Sequence, residues 1–234
     1  MTLLSKNARV AGLLYILASA VGFVRLGYVP KVLFVHGNPA ATAGNLVAHE
    51  LLFRFGIVCY LAGAALWLFV PLALYRLLRG VNQPLAALMV ILGSLVQVPI
   101  FFMNSVTDIA ALLFAHGADF LSIFDKPQRD AFVMLFLSLH HQADLANEIL
   151  WGLWLLPFGL LVYRSRFLPR FLGVFLVIAC FAWLALSVTG FLAPQYEATA
   201  YKFTQPFALG EVVTMFWLAI MGAKEQRLEA AASV

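Results

Sequence analysis

The sequence predicts an all-α integral membrane protein: one bundle of six transmembrane helices, both termini cytoplasmic, the second and fourth helices overshooting the outer side. Three observations carry this. The 234 residues are 63% hydrophobic and 11% charged, whereas a soluble domain carries about a quarter charged residues. The apolar residues gather into six runs near the ~20 residues needed to cross a hydrocarbon core. Finally, Lys6, Arg9, Arg76, Arg79, Arg164, Arg166, Arg170, Lys224 and Arg227 fall on one side of that path, which the positive-inside rule makes cytoplasmic. All acidic residues except Glu225 and Glu229 lie in the membrane or on its outer side.

The spans are expected at about 9–28, 51–78, 84–108, 145–164, 168–192 and 206–223, in a single domain covering 1–234. Lys6 and Arg9 before Ala11 to Val24 resemble a signal peptide, and Ala18-Ser19-Ala20 resembles a cleavage site. The apolar run continues through Val24, which favours a first membrane helix. Asn38-Pro39 pairs an N-cap residue with proline at the first helical position and starts the next element. Without a clear breaker before Gly80, a continuous helix would be ~60 Å long, about twice a bilayer core. Its first half must then stand outside the membrane or lie along its surface. Pro84 opens the third helix, which runs past Gln97, Pro99 and Asn104 to about His116, and Pro127 opens the fourth. A fifth spans Leu168 to Phe191 without a charge after Arg170, and Pro206 starts the sixth. Trp67 to Pro71 leading to Tyr75-Arg76 echoes Trp154 to Pro157 leading to Tyr163-Arg164, a pattern that a shared interface requirement explains as well as duplication.

Polar groups inside apolar runs locate the candidate site. His140, Asp144, Asn147 and Trp151 recur at helical steps and share one face, with Glu148 beside it. A metal-ligand set, a proton relay, an ion-pair lattice or a simple headgroup-zone cap would all have this form. Counting from the cytoplasmic flank places Glu211 and Gln97 at ~20 Å, and Arg25 and Glu148 at ~24 Å. Asn104, Asp144 and Arg54 fall at ~30 to 33 Å, and Asp108, His140 and Glu50 at ~36 to 39 Å. An ionisable group at hydrocarbon depth costs about 2.5 to 3.5 kcal/mol, so Arg25, Glu148 and Glu211 should face the interior and find partners. One arginine cancels one glutamate; the other needs a proton, Arg54, water or a cation. The expected site is therefore an outward-facing polar pocket. Arg25, Glu148 and Glu211 form its floor, Gln97, Asn104 and Asp108 one wall, and Glu50, Arg54, His140 and Asp144 the rim. Its ligand would be a small cation, a proton or an amphiphile, bound and passed across. Interhelical locking by the same residues is the structural alternative, and Glu50 with Arg54 forms an i, i+4 pair that can satisfy itself.

Two other functions stay open. His140, Asp144 and Glu148 would supply a metal-dependent lipid hydrolase, although no His-Glu-x-x-His or Cys-x-x-Cys spacing is present. The outer segments 31–50 and 117–145 would alternatively dock a protein partner. The basic surplus (15 Lys and Arg against 11 Asp and Glu) forms no stripe and reports orientation rather than nucleic-acid binding. No cofactor is indicated. Cys59 and Cys180 differ in estimated depth by ~10 Å and should be free thiols. Gly12, Gly22, Gly56, Gly63, Gly152, Gly159 and Gly173 read as close helix packing.

Pro39 to Ala43, Glu50 with Arg54, Leu74-Tyr75 with Leu78-Arg79, Tyr163-Arg164-Ser165 with Leu168-Pro169 and Leu172-Gly173, Phe191 with Pro194 and Tyr196, and Gly210-Glu211 with Trp217-Leu218 carry a resemblance. Together they resemble a bacterial membrane family filed as domain of unknown function 4386, over nearly the whole chain. The resemblance implies a polytopic protein of the bacterial inner membrane in contact with lipid, with Glu50, Arg54 and Glu211 in the family pattern. It implies no activity and no catalytic residue.

Overall fold

The computed structural model describes residues 2–224; Met1 and the tail 225–234, which holds Glu225, Arg227 and Glu229, lie outside them. The described residues are helical and contain no strand. Six helical stretches are long and apolar enough to cross a membrane: Leu3–Leu33, Glu50–Leu78, Gln83–His116, Lys126–Arg164, Arg170–Leu192 and Pro194–Ile220. They are the first to sixth spans below.

Side-chain caps start the helices where the sequence places them. The Asn38 side chain accepts from the Ala41 amide at 3.0 Å, and Asn82 from that of Leu85 at 2.9 Å. Asp125 and Gln128 form a reciprocal capping box ahead of the fourth span. Gly117, left-handed at φ 65°, ends the third.

Prolines set the internal breaks. Each lacks an N–H and presses on the carbonyl four residues back. Pro71 and Pro157 interrupt their spans at Leu68 and Trp154, three residues upstream in both cases, so the echo between the second and fourth spans is a shared kink. Upstream of Pro30 and Pro99 the helix widens into π turns at Val24–Tyr28 and Ile91–Leu95. Pro206, expected to start the sixth helix, instead lies inside one that begins at Glu197, since a membrane helix tolerates proline when neighbouring groups satisfy the freed carbonyl. The continuous helix expected from Pro39 is also broken. The chain turns at His49 (φ −121°, ψ 37°), and Pro39–Ala48 is a separate short helix against the third and fourth spans.

Successive spans pack as neighbours and the sixth returns to the first, closing a ring in chain order. At the end holding Leu3 and Ile220, Tyr15, Leu74, Trp154, Phe158, Leu161, Leu172 and Leu218 form one apolar cluster. At the far end, Val29, Leu33, Leu46, Phe53, Leu112, Val133 and Leu137 form another, which the short helix caps through Ala43 and Leu46. The ring closes tightly where the first and sixth spans meet: a Cβ on Gly12 would sit 2.3 Å from the Ala219 amide nitrogen. Gly159 and Gly173 meet backbone to backbone in the same way. Gly22 differs, because a Cβ there would touch nothing within 4 Å. Cys59 and Cys180 are buried free thiols.

Candidate functional site

Against the first cluster, which supplies Tyr15, Ala18 and Trp154 to its wall, lies a cavity of about 340 Å³ lined by all six spans. Its wall is rich in aromatic rings: Tyr15, Tyr60, Trp67, Phe101, Trp151, Trp154 and Trp183 all contribute. These rings brace one another. Tyr15 packs edge-on against Trp67 at 5.2 Å, Trp67 against Trp154 at 5.6 Å, and Trp151 against Trp183 at 5.4 Å. The π turn in the third span makes room for this stack. A Cβ on Gly93 would lie 2.9 Å from the Trp154 ring, and the Gly93 carbonyl accepts the Trp67 indole N–H at 2.7 Å.

Few polar groups reach the cavity. The Glu211 carboxylate does, held by the Tyr15 hydroxyl. Gln97 is fully buried and donates from Nε2 to the carbonyls of Leu92 and Leu150, both at 2.9 Å, while its Oε1 has no partner. The Trp183 Nε1 is also without one. On one side the lining includes Phe23 and Leu26 of the first span and Leu209 and Val212 of the sixth, all exposed on the bundle surface. That side therefore faces hydrocarbon rather than water.

Beside the cavity, a polar cluster joins the first four spans. Arg25, set in the π turn of the first span, grips Asp108 with Nε and Nη2, the Nε to Oδ2 distance being 2.7 Å. Its guanidinium also lies over the rings of Phe34 and Phe53, at 5.5 and 5.7 Å. His140 Nδ1 is 3.1 Å from Asp108 Oδ1, and its Nε2 is 3.3 Å from Asp144 Oδ2. Asp144 accepts from Tyr60 at 2.8 Å and from Asn104 at 3.0 Å. Asn104 donates in addition to the His140 carbonyl at 3.1 Å. One guanidinium thus faces two carboxylates with an imidazole between them. Tyr60 touches both regions, lining the cavity with its ring and binding Asp144 with its hydroxyl.

The ten residues expected at one pocket separate into four places. Gln97 and Glu211 line the cavity. Arg25, Asn104, Asp108, His140 and Asp144 form the cluster. Glu50 pairs with Arg54 at 2.5 Å and with His116 at 3.1 Å, away from both. Glu148 is within electrostatic reach of Asp144 and Glu197, and its Oε2 has no hydrogen bond. The partner of Arg25 is therefore Asp108, not a glutamate. Residue counting set these two ~12 Å apart in height because it takes every helix as straight and upright. Among the described residues, no three His, Cys, Asp or Glu side chains group as metal ligands. His141 points away, to Glu197 at 2.9 Å. Sequence reasoning missed Tyr15, Tyr60 and Trp183. A tyrosine hydroxyl or indole N–H deep in an apolar run needs a partner, and that was the available signal.

A ring of six membrane-length helices with polar side chains turned inward defines an integral, multi-pass membrane protein. Residues 10–222 match the family described as "Domain of unknown function (DUF4386)", and the chain belongs to it. It is also 34% identical over 76 residues to an "Uncharacterized protein" of Archaeoglobus fulgidus, a stretch covering 32% of this chain and 44% of that relative. No solved structure matches the chain.

Proposed function

We propose that the protein binds a small amphiphile inside the membrane, in the aromatic cavity enclosed by its six helices. The observation that carries this reading is the cavity itself, about 340 Å³ in volume, within the range of small-molecule sites. Its aromatic residues suit an apolar chain, and the few polar side chains among the lining (Ser19, Gln97, Gln205, Glu211 and the two tyrosines) suit a single head group. The exposed apolar side chains at its edge suit a ligand arriving from lipid. We further propose that the chain sits in a bacterial inner membrane with both termini in the cytoplasm. Passage of the ligand would use the same site.

The test uses the tryptophans in the wall as reporters. Titration of the detergent-solubilised protein with decanol should change the indole fluorescence saturably. Ala208→Phe, which places a ring in the cavity from the sixth span, should remove the saturable response while leaving the helical circular dichroism intact. A linear, unsaturable response, or one unchanged in Ala208→Phe, rejects the reading.

A further inference from the structure

Glu211 has no charged partner. Its carboxylate accepts from Tyr15, a neutral donor, and among the described residues it forms no ion pair. Arg25 is committed to Asp108. The titratable groups lining the cavity besides Glu211 are Tyr15 from the first span and Tyr60 from the second. The third, fourth and fifth spans present Gln97, Phe101, Trp151, Trp154 and Trp183, none of them charged. An uncompensated carboxylate in such surroundings costs several kcal/mol. The neutralising charge must therefore arrive from outside the fold.

The chemistry of a carboxylate narrows what brings it. A head group that carries positive charge and also donates hydrogen bonds gives Glu211 a counter-ion and a charge-assisted bond together, and the surrounding ring faces attract a cation. An alkylammonium bearing N–H bonds meets these conditions; a quaternary ammonium, without N–H, meets only the charge.

We propose that Glu211 holds either a proton or the ammonium head of a lipid-soluble primary amine, and that the two compete for the one carboxylate. When the amine binds, the carboxylic O–H bond breaks and its proton passes to the aqueous buffer. The ammonium then stays as counter-ion, with no covalent bond formed. This rests on reading the cavity as an amphiphile site, and it adds exchange of one cation for one proton.

The experiment titrates the full-length solubilised protein with decylamine, decyltrimethylammonium and decanol at mildly acidic and mildly alkaline pH, where an alkylammonium, like lysine, stays charged. Decylamine affinity should rise with pH, by about tenfold per pH unit where the proton wins the competition. On the acidic side, where the carboxyl holds its proton, one proton per bound amine should appear in weakly buffered solution. Decanol affinity should not vary with pH, and decyltrimethylammonium should bind more weakly than decylamine. Glu211→Gln, with its helical circular dichroism intact, should abolish the pH dependence and the proton release. Amine affinity that ignores pH, that is unchanged in Glu211→Gln, or that falls below the quaternary compound overturns the proposal. If decanol binds and decylamine gains nothing, the amine exchange fails and the cavity reading stands. If none of the three binds, both fall.

Discussion

Arg25 and Asp108 are at most 3% exposed and depend on each other for neutralisation. Removing one partner of a buried pair leaves an uncompensated charge, at a cost of about 3–5 kcal/mol. Asp108→Asn should therefore lower the melting temperature of the solubilised protein sharply. Arg25→Met with Asp108→Leu should recover most of the loss, since apolar residues in place of such a pair are often neutral or stabilising. Equal destabilisation of the single and double variants would show that the pair is not the unit. Tyr60→Phe removes a hydroxyl that donates to Asp144 and should cost about 1–3 kcal/mol in the same assay, because a buried acceptor loses its donor; an unchanged melting temperature would mean that Asn104 alone satisfies Asp144. At this scale the sequence was informative about burial and poor on pairing. Depth alone put Gln97 and Glu211 at one height, and both line one cavity. Pairing depends on how each helix is rotated and how far a side chain reaches, which residue counting does not contain. So Arg25, long and set in a π turn, meets Asp108.

Helix contacts rest on glycine, and the structure separates two kinds. Gly12→Ala drives a methyl group into the Ala219 backbone, where a flexible neighbour is not available to yield. Overpacking of this sort costs about 1–3 kcal/mol, so the variant should melt earlier. Gly22→Ala meets open space and should melt as the parent does; the contrast between the two is the check, and equal shifts would contradict the packing described. Gly56, Gly63 and Gly152 proved to be contact glycines, as a run of small residues in apolar helices suggests. Gly22 takes part in such a contact by its backbone, 3.0 Å from where a Cβ on Gly63 would sit, while its own side faces open space; small size signals a close approach without saying from which side it comes. The starts at Asn38-Pro39, Pro84 and Pro127 were legible for a related reason: such signals act locally. The turn at His49 was not, since the docking of Pro39–Ala48 on the third and fourth spans is a tertiary effect.

For the molecule as a whole, six crossings place the start of the first span, Leu3, and the end of the sixth, Ile220, at the same end of the bundle. The basic residues Lys6, Arg9, Arg76, Arg79, Arg164, Arg166 and Arg170 cluster toward that end, so a cytoplasm-sensitive reporter fused to either terminus should be active and a periplasm-sensitive one silent. The opposite result would invert the molecule. The same six crossings surround a layer in which one cavity carries a carboxylate without a counter-charge, next to a cluster in which one guanidinium and one imidazole face two carboxylates. Fold class followed from composition, which acts over the whole chain. The division into cavity and cluster came only with the helix rotations. The most direct measurement is a crystal structure of the protein with decylamine brominated at its chain end. An anomalous bromine peak within the aromatic walls, with the amine nitrogen in hydrogen-bonding contact with Glu211, is the expected result. Bromine only in the surrounding lipid, with Trp151 and Trp183 closed across an empty space, would contradict it.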